Sequence, residues 1–292
     1  MADEKPVILI TSGTSKTGCE VAKQLLATGN YTVRVGSRDP GKLSPLAARG
    51  AEAVLLDSTP STASAAFTGV DAAYVVLPSI VGGVERVLLD NFLSAAKQTG
   101  VKHIVYLSAI EPKDSTVHQH HHYEQLLIES GLPFTILRPT FFHENVIKHH
   151  AASIKKDGVF RTSAGDGVYT SVAVQDVAAV AVAALADPVK HRDHIYTLTT
   201  EAVTERQLAE KLSRALGKQV THVNLTPEEH LELLTQNCAG TQSATFAAAM
   251  VDLNKKKRES RTSAVDPALE LVLGHKGISL EQFFTDNASA FD

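Results

Sequence analysis

The chain has no tryptophan, only two cysteines, no long apolar run and no excess of positive charge. Each absence excludes something. Cys19 and Cys238 stand far apart and form no Cys-x-x-Cys pair, which suits free thiols in a reducing compartment and a cytoplasmic protein. Nothing approaches the roughly 18 consecutive apolar residues of a membrane span. The opening MADEKP is acidic and runs straight into an apolar stretch, so no signal peptide is expected. A net charge of −4 offers nucleic acid no general attraction. The one basic cluster, Lys255-Lys256-Lys257-Arg258, reads as a solvated helix end. Internal repeats and low-complexity segments are absent as well. A small-molecule substrate is therefore expected, with no nucleic-acid or membrane partner, for a monomer or homodimer.

What is present is alternation. With 292 residues, 43% of them hydrophobic and 21% charged, the chain can build one large α/β domain, or one domain and a lobe. Val7 to Ile10 is a run of four aliphatics, the mark of a strand buried on both faces. A Thr/Ser/Gly turn follows, then Val21, Ala22, Leu25 and Leu26 at helical spacing up to Gly29. Further strands are predicted at residues 31–35, 53–56, 72–77, 103–107 and 134–137, separated by helical segments that stop at glycine. Such alternation defines a parallel, doubly wound sheet, with ligands bound at the carboxyl ends of the strands near the switch point. Beyond Pro139 the pattern weakens. A buried helix is predicted at 172–185, a strand at 194–198, and helices at 205–216, 227–236, 241–255 and 280–290, with a strand at 220–225. The expected architecture is an α/β, Rossmann-type doubly wound parallel sheet with a smaller, mostly helical C-terminal lobe. Residues 1–150 form the nucleotide-binding domain; residues 151–292 form the substrate lobe, with some elements returning to the sheet.

The turn after the first strand carries the chemistry. Strand, small-residue loop and helix let a backbone approach a pyrophosphate closely, beside free N–H groups and the positive end of a helix dipole. Gly13-x4-Gly18 also mimics a P-loop, but Cys19-Glu20 stands where Lys-Ser/Thr is required, which excludes that reading. At the end of the second strand, an acidic residue would hold a ribose 2′-hydroxyl and an arginine a 2′-phosphate. Arg38 stands 20 positions after Gly18, with Ser37 before it and Lys42 four residues on. Asp39 competes, one place further and followed by Pro40. A guanidinium fork suits phosphate oxygens, so NADP (NADPH) is expected over NAD.

Ile10-Thr-Ser-Gly-Thr-Ser-Lys-Thr-Gly18, Val33-Arg-Val-Gly-Ser-Arg38, Val105-Tyr-Leu-Ser108 and Ser130-Gly-Leu-Pro-Phe-Thr-Ile-Leu-Arg-Pro139, with Phe142 and Glu144-Asn145, resemble the NmrA-like family of atypical short-chain dehydrogenases/reductases. The resemblance covers residues 6–186 closely and the remainder in general layout. It implies that Thr11, Ser12, Gly13, Thr14, Ser15, Lys16, Thr17 and Gly18 hold the pyrophosphate, and that Ser37 and Arg38 hold the 2′-phosphate. Asp57 and Ser58 would then lie near the adenine, and Leu77 and Pro78 would border the cofactor. Ser108 and Ala109 would lie by the nicotinamide, with Pro139, Thr140 and Phe141 closing over it. Serines at 12 and 15 replace glycines common in the family, and side chains there would hinder the pyrophosphate. The Tyr-x3-Lys pair of short-chain dehydrogenases is also missing: the lysine position falls at His120, and Thr116 stands where the tyrosine would be. His120-x-x-Tyr123-Glu124 is similar to a segment of the NADPH quinone oxidoreductase and triphenylmethane reductase branch. His120 and Tyr123 are accordingly the candidate catalytic residues, His120 binding the ribose hydroxyls or relaying a proton.

Two functions follow. One is an NADPH-dependent reductase passing hydride to a small apolar acceptor (quinone, imine, enone or ketone), with Phe142, His143 and Asn145 at the substrate. The cofactor carries the difficult step, so the missing pair does not exclude it. The other is a non-catalytic NADP(H)-sensing regulator of a partner protein. The histidines at 118, 120, 121, 122, 143, 149 and 150 invite a metal reading, yet no carboxylate stands at set spacing; solvated helix histidines, and no metal, are expected.

Overall fold

The computed structural model describes residues 5–77, 84–110, 120–237 and 242–292; Pro78, Thr116, His118 and Cys238 lie outside them. The elements follow in order as β1 (Val7–Ile10), α1 (Lys16–Thr28), β2 (Thr32–Ser37), α2 (Ser44–Ala47), β3 (Glu52–Leu55), α3 (Pro60–Phe67), β4 (Ala72–Val76) and α4 (Val84–Thr99). Then come β5 (His103–Leu107), α5 (His120–Glu129), β6 (Phe134–Pro139), β7 (Phe141–Phe142), α6 (Glu144–Asp157), β8 (Val159–Thr162) and β9 (Tyr169–Val172). The remainder is α7 (Val174–Ala186), α8 (Pro188–His191), β10 (His194–Leu198), β11 (Glu201–Val203), α9 (Glu205–Leu216), β12 (Thr221–Asn224), α10 (Pro227–Asn237), α11 (Gln242–Arg258), α12 (Ala268–Leu273) and α13 (Leu280–Asp286).

These elements form two units. The first comprises Met1–Arg138 and Val174–Thr197, the second Pro139–Ala173 and Leu198–Asp292. In the first, seven strands lie in the order β10-β6-β5-β4-β1-β2-β3. The ladders from β6 to β3 are parallel. This is the doubly wound α/β sheet the alternation predicts. From β1 the chain winds outward through β2 and β3, then crosses back to β4 on the other side of β1. That reversal opens a crevice at the carboxyl end of β1. One face of the sheet packs Leu9, Val75, Tyr106 and Ile136 against Phe67, Phe92, Tyr123 and Leu127 of α3, α4 and α5. On α7, Val177, Ala178, Val180, Ala181 and Ala184 are buried, and the alanines let it lie close on α1.

The second unit carries two small sheets, β11-β9-β7 and β12-β8, among helices. Its core joins Ile154, Phe160, Leu208, Leu212, Phe284 and Phe291. The run predicted as one helix over 172–185 is divided here. Val172 closes β9, whose four residues are all buried and pair with both β7 and β11, so the helix starts only at Val174. Among the described residues, no helix is long and apolar enough to cross a membrane.

Candidate functional site

The loop between β1 and α1 is built by its own side chains. The Thr11 hydroxyl donates to the Val76 carbonyl (3.2 Å) and accepts from the Val76 N–H (3.0 Å), tying the loop to β4. Gly13 N–H donates to Gly36 O of β2 (2.9 Å), which holds the other side. Two glycines are there for closeness. A Cβ on Gly18 would stand 2.1 Å from the Ser12 carbonyl oxygen, and one on Gly13 would meet the Leu43 methyl at 2.8 Å. Ser15 is the N-cap of α1: its Oγ accepts from Gly18 N–H (3.0 Å) and donates to Ser12 O (2.8 Å). The side chain that replaces a family glycine therefore turns back into its own loop.

A groove opens beside this loop, lined by Thr11, Ser12, Thr14, Ser37, Arg38, Asp39, Lys42, Leu56, Asp57, Val76, Leu88 and Phe92. It brings together six of the expected cofactor residues. Arg38 is exposed at its edge, and among the described residues none pairs with its guanidinium. Asp39 is spent locally. Its carboxylate accepts from Gly41 N–H (3.1 Å) to cap the 3₁₀ turn Pro40–Leu43, and Lys42 Nζ lies 3.9 Å away. Ser37 is buried, its Oγ accepting from Asp39 N–H (3.1 Å). Asp57 Oδ1 accepts from Thr59 N–H, Thr59 Oγ and Thr62 Oγ, each at 2.7 Å. Those bonds hold its carboxyl below the usual range. The set fits a dinucleotide of the NAD(P) kind: a close-packed loop at a helix start, a cation at the β2 end, and an apolar wall of Leu56, Leu88 and Phe92 for a flat base.

Other expected residues lie in the same unit but off the groove lining. Leu77 packs against the sheet-face core, and the Ser58 carbonyl accepts from Asn91 Nδ2 (2.8 Å). Ser108, just past β5, donates to Glu124 Oε1 (2.5 Å). Glu124 is buried and gripped from the other side by Arg138, whose Nε donates to Oε1 (2.8 Å) and whose terminal nitrogen donates to Oε2. Ala109 is half-buried beside Ser108. His120 and Tyr123 stand three apart on α5, one helical turn. Tyr123 is buried in the core cluster; burial, then the nearby Glu85 charge, pushes its phenol above the ordinary value.

The second unit holds Pro139, Thr140, Phe141, Phe142, His143 and Asn145. Pro139 ends β6, and Thr140 N–H donates to Leu198 O (3.2 Å). The last four line a cavity of about 290 Å³, close to the about 300–1,000 Å³ usual for small-molecule sites. His143 is fully buried with Nε2 3.0 Å from Ser171 Oγ, and burial lowers its pKa to about 3. Burial lowers His150 to about 3 as well. Among the described residues, no three histidine, cysteine or acidic side chains are grouped to hold a metal ion.

The cavity also holds residues the sequence reading missed. Tyr169, Glu205, His230, Asn254 and Lys257 line it. The basic run is a solvated helix end only in part: Lys255 and Arg258 are exposed at the end of α11, but Lys257 is not. Lys257 is buried and donates to Glu205 Oε1 (3.0 Å), while Arg258 Nε donates to Ser163 O (2.8 Å) and Lys256 pairs with Asp252 (3.0 Å). A signal was available: Met250, Leu253, Asn254 and Lys257 follow i, i+3, i+4, i+7, one face of α11, and that face lines the cavity.

Comparison with known proteins bears on the family and the fold. A family model described as NAD(P)H-binding matches residues 13–188. The chain is 30% identical over 291 residues to an NAD(P)H azoreductase of Xenophilus azovorans, covering 98% of this chain and 99% of the relative. The structure of the Escherichia coli quinone oxidoreductase QOR2 complexed with NADPH superposes with a TM-score of 0.83 at 28% identity, covering 97% of this chain and 98% of that one. A Citrobacter sp. triphenylmethane reductase complexed with NADP(H) shares the fold, with a TM-score of 0.85 at 24% identity over 97% of this chain and 99% of the other. The chain belongs to the NAD(P)H-binding family, among the oxidoreductases of its NmrA-like branch.

Proposed function

We propose that this oxidoreductase uses NADPH in preference to NADH and passes hydride to a small, flat, apolar acceptor of the quinone, imine, enone or ketone kind. The observation that carries the cofactor preference is the pairing at the end of β2: Asp39 is consumed in capping a turn, and Arg38 is left with no partner among the described residues. In this reading the pyrophosphate lies on Ser12 to Gly18, the 2′-phosphate meets Ser37, Arg38 and Lys42, and the adenine runs along Leu56, Leu88 and Phe92. Ser108, Ala109 and His120 serve the nicotinamide half, with His120 on the ribose hydroxyls. The acceptor occupies the cavity lined by Phe141, Phe142, His143 and Asn145, whose walls are mainly apolar and whose histidines His143 and His150 stay neutral.

The test is a panel of quinones, azo dyes, enones and imines, scored by loss of reduced-nicotinamide absorbance. Turnover with NADPH exceeding that with NADH is expected for at least one class. Equal binding of oxidised and reduced nucleotide, with no turnover of any acceptor, would return the chain to the regulator reading.

A further inference from the structure

Two residues in the wall of the cavity carry a buried polar atom with no partner among the described residues. The first is on α11. Asn254 is 4% exposed, and its Nδ2 donates back to the Met250 carbonyl one turn earlier on the same helix (2.8 Å). That bond fixes which atom is which: with the carboxamide turned over, an oxygen would face the carbonyl oxygen. Oδ1 then stands on the other side of the carboxamide, away from the backbone of α11. It does so on the face whose Met250, Leu253 and Lys257 line the cavity beside it. Oδ1 is the atom left without a partner. The second is Nδ1 of His143, whose ring is fully buried and bonded only through Nε2, to Ser171 Oγ (3.0 Å).

An unpaired buried acceptor weakens the fold, because an apolar side chain of the same shape would suffer no desolvation there. Something from outside the chain completes it, a water or a ligand. Water needs about two to four polar partners. The rest of the wall from α10 and α11 is Leu233, Leu234, Met250 and Leu253, with His230 and Lys257 already bonded to Ser163 and Glu205. Charge is not on offer either. Arg161 pairs with Asp157 (3.3 Å) and Lys257 with Glu205 (3.0 Å), so no lysine, arginine or acidic side chain of the lining is left to hold a ligand's charge. Phe141, Phe142 and the leucines supply apolar surface.

We propose that the cavity takes an uncharged, flat aromatic ligand bearing a hydroxyl or N–H group, and that Asn254 Oδ1 accepts a hydrogen bond from that group. The inference rests on the proposed function in placing the acceptor here. It narrows the acceptors to those with a donor on the ring: hydroxylated quinones, azo compounds or enones. An analogue with an ether in that place sets oxygen against oxygen and leaves Asn254 unpaired, so it binds more weakly.

The matched pair 2-naphthol and 2-methoxynaphthalene tests this, with binding to the full chain followed by the ligand's own fluorescence and no nucleotide present. Wild type is expected to bind 2-naphthol about 3- to 12-fold more tightly. Asn254→Leu keeps the shape of the side chain and removes the acceptor, and the preference should fall below about 2-fold. A role for Asn254 in packing alone would move both affinities together and leave their ratio unchanged. Should leucine disturb α11, the smaller Asn254→Ala makes the same comparison. Equal binding of the pair by wild type means that ordered water alone completes Asn254. That result, a preference that survives in Asn254→Leu, or no binding of either ligand, overturns the inference. The reductase reading is judged separately, by turnover of the acceptor panel with NADPH. Turnover without the naphthol preference overturns the inference alone; no turnover with any acceptor overturns the reductase reading, and with it the narrowing of acceptors.

Discussion

Replacing Arg38 by alanine separates cofactor binding from folding, because the guanidinium does no work in the fold. It is exposed, and none of the described residues pairs with it. The substitution should leave stability within about 0.5 kcal/mol. All of its effect should therefore fall on the nucleotide. A charge-assisted hydrogen bond is worth about 1.5–3 kcal/mol. The groove edge is open to solvent, where salt screens beyond a Debye length of roughly 8–10 Å, so the lower part of that range applies. About 1.5–2 kcal/mol corresponds to a roughly 10- to 30-fold weaker Kd for NADPH. NADH, which lacks the 2′-phosphate, should move by less than about 2-fold on the same arithmetic. Adding Lys42→Ala should weaken NADPH further, since Lys42 lines the same groove and is held only at 3.9 Å by Asp39. Reduced-nicotinamide fluorescence reads both affinities directly, in a chain without tryptophan. Raising salt should erode the NADPH advantage of wild type and leave the variant nearly flat. Equal losses for NADPH and NADH, or none for either, would refute the assignment of Arg38 to the phosphate.

Gly18→Ala puts a methyl 2.1 Å from the Ser12 carbonyl, a backbone atom that cannot turn aside, so a loss of about 3 kcal/mol or more is expected together with loss of NADPH binding. Gly13→Ala meets the Leu43 methyl at 2.8 Å and should cost roughly 1 kcal/mol, because a side-chain end can move; denaturant titration of both variants checks the order. His103 is buried against Thr135 Oγ (2.9 Å), and burial lowers its pKa to about 4. A lowered folded pKa means the unfolded chain takes up the proton first as pH falls below about 6.5. Stability is then full above that pH and falls by about 2 kcal/mol on reaching pH 5 for this one group. Urea unfolding of wild type and His103→Gln at pH 7 and pH 5 should show a shallower pH dependence in the variant; parallel curves would contradict the neutral, buried state of this histidine.

Local pattern alone determined much of the scaffold. The strands His103–Leu107 and His194–Leu198 and the helix Glu205–Leu216 have the bounds that apolar runs and helical spacing predict. Such elements are written into adjacent residues, since a buried strand needs consecutive aliphatics and a surface helix needs an apolar stripe. The strand-loop-helix order and the position of Arg38 were legible for the same reason. The tertiary structure decided what each polar group does. Ser15 turned from an obstacle into a cap because Gly18 N–H and Ser12 O lie within its reach. The short β7, β9 and β11 exist through pairing with one another, which no single segment announces. Lys257, one of four basic residues in a row, went inward because Glu205, 52 positions earlier in the chain, offered a buried carboxylate. Sequence periodicity specifies which face of an element is buried; the partner a charge finds there depends on residues brought close only by folding.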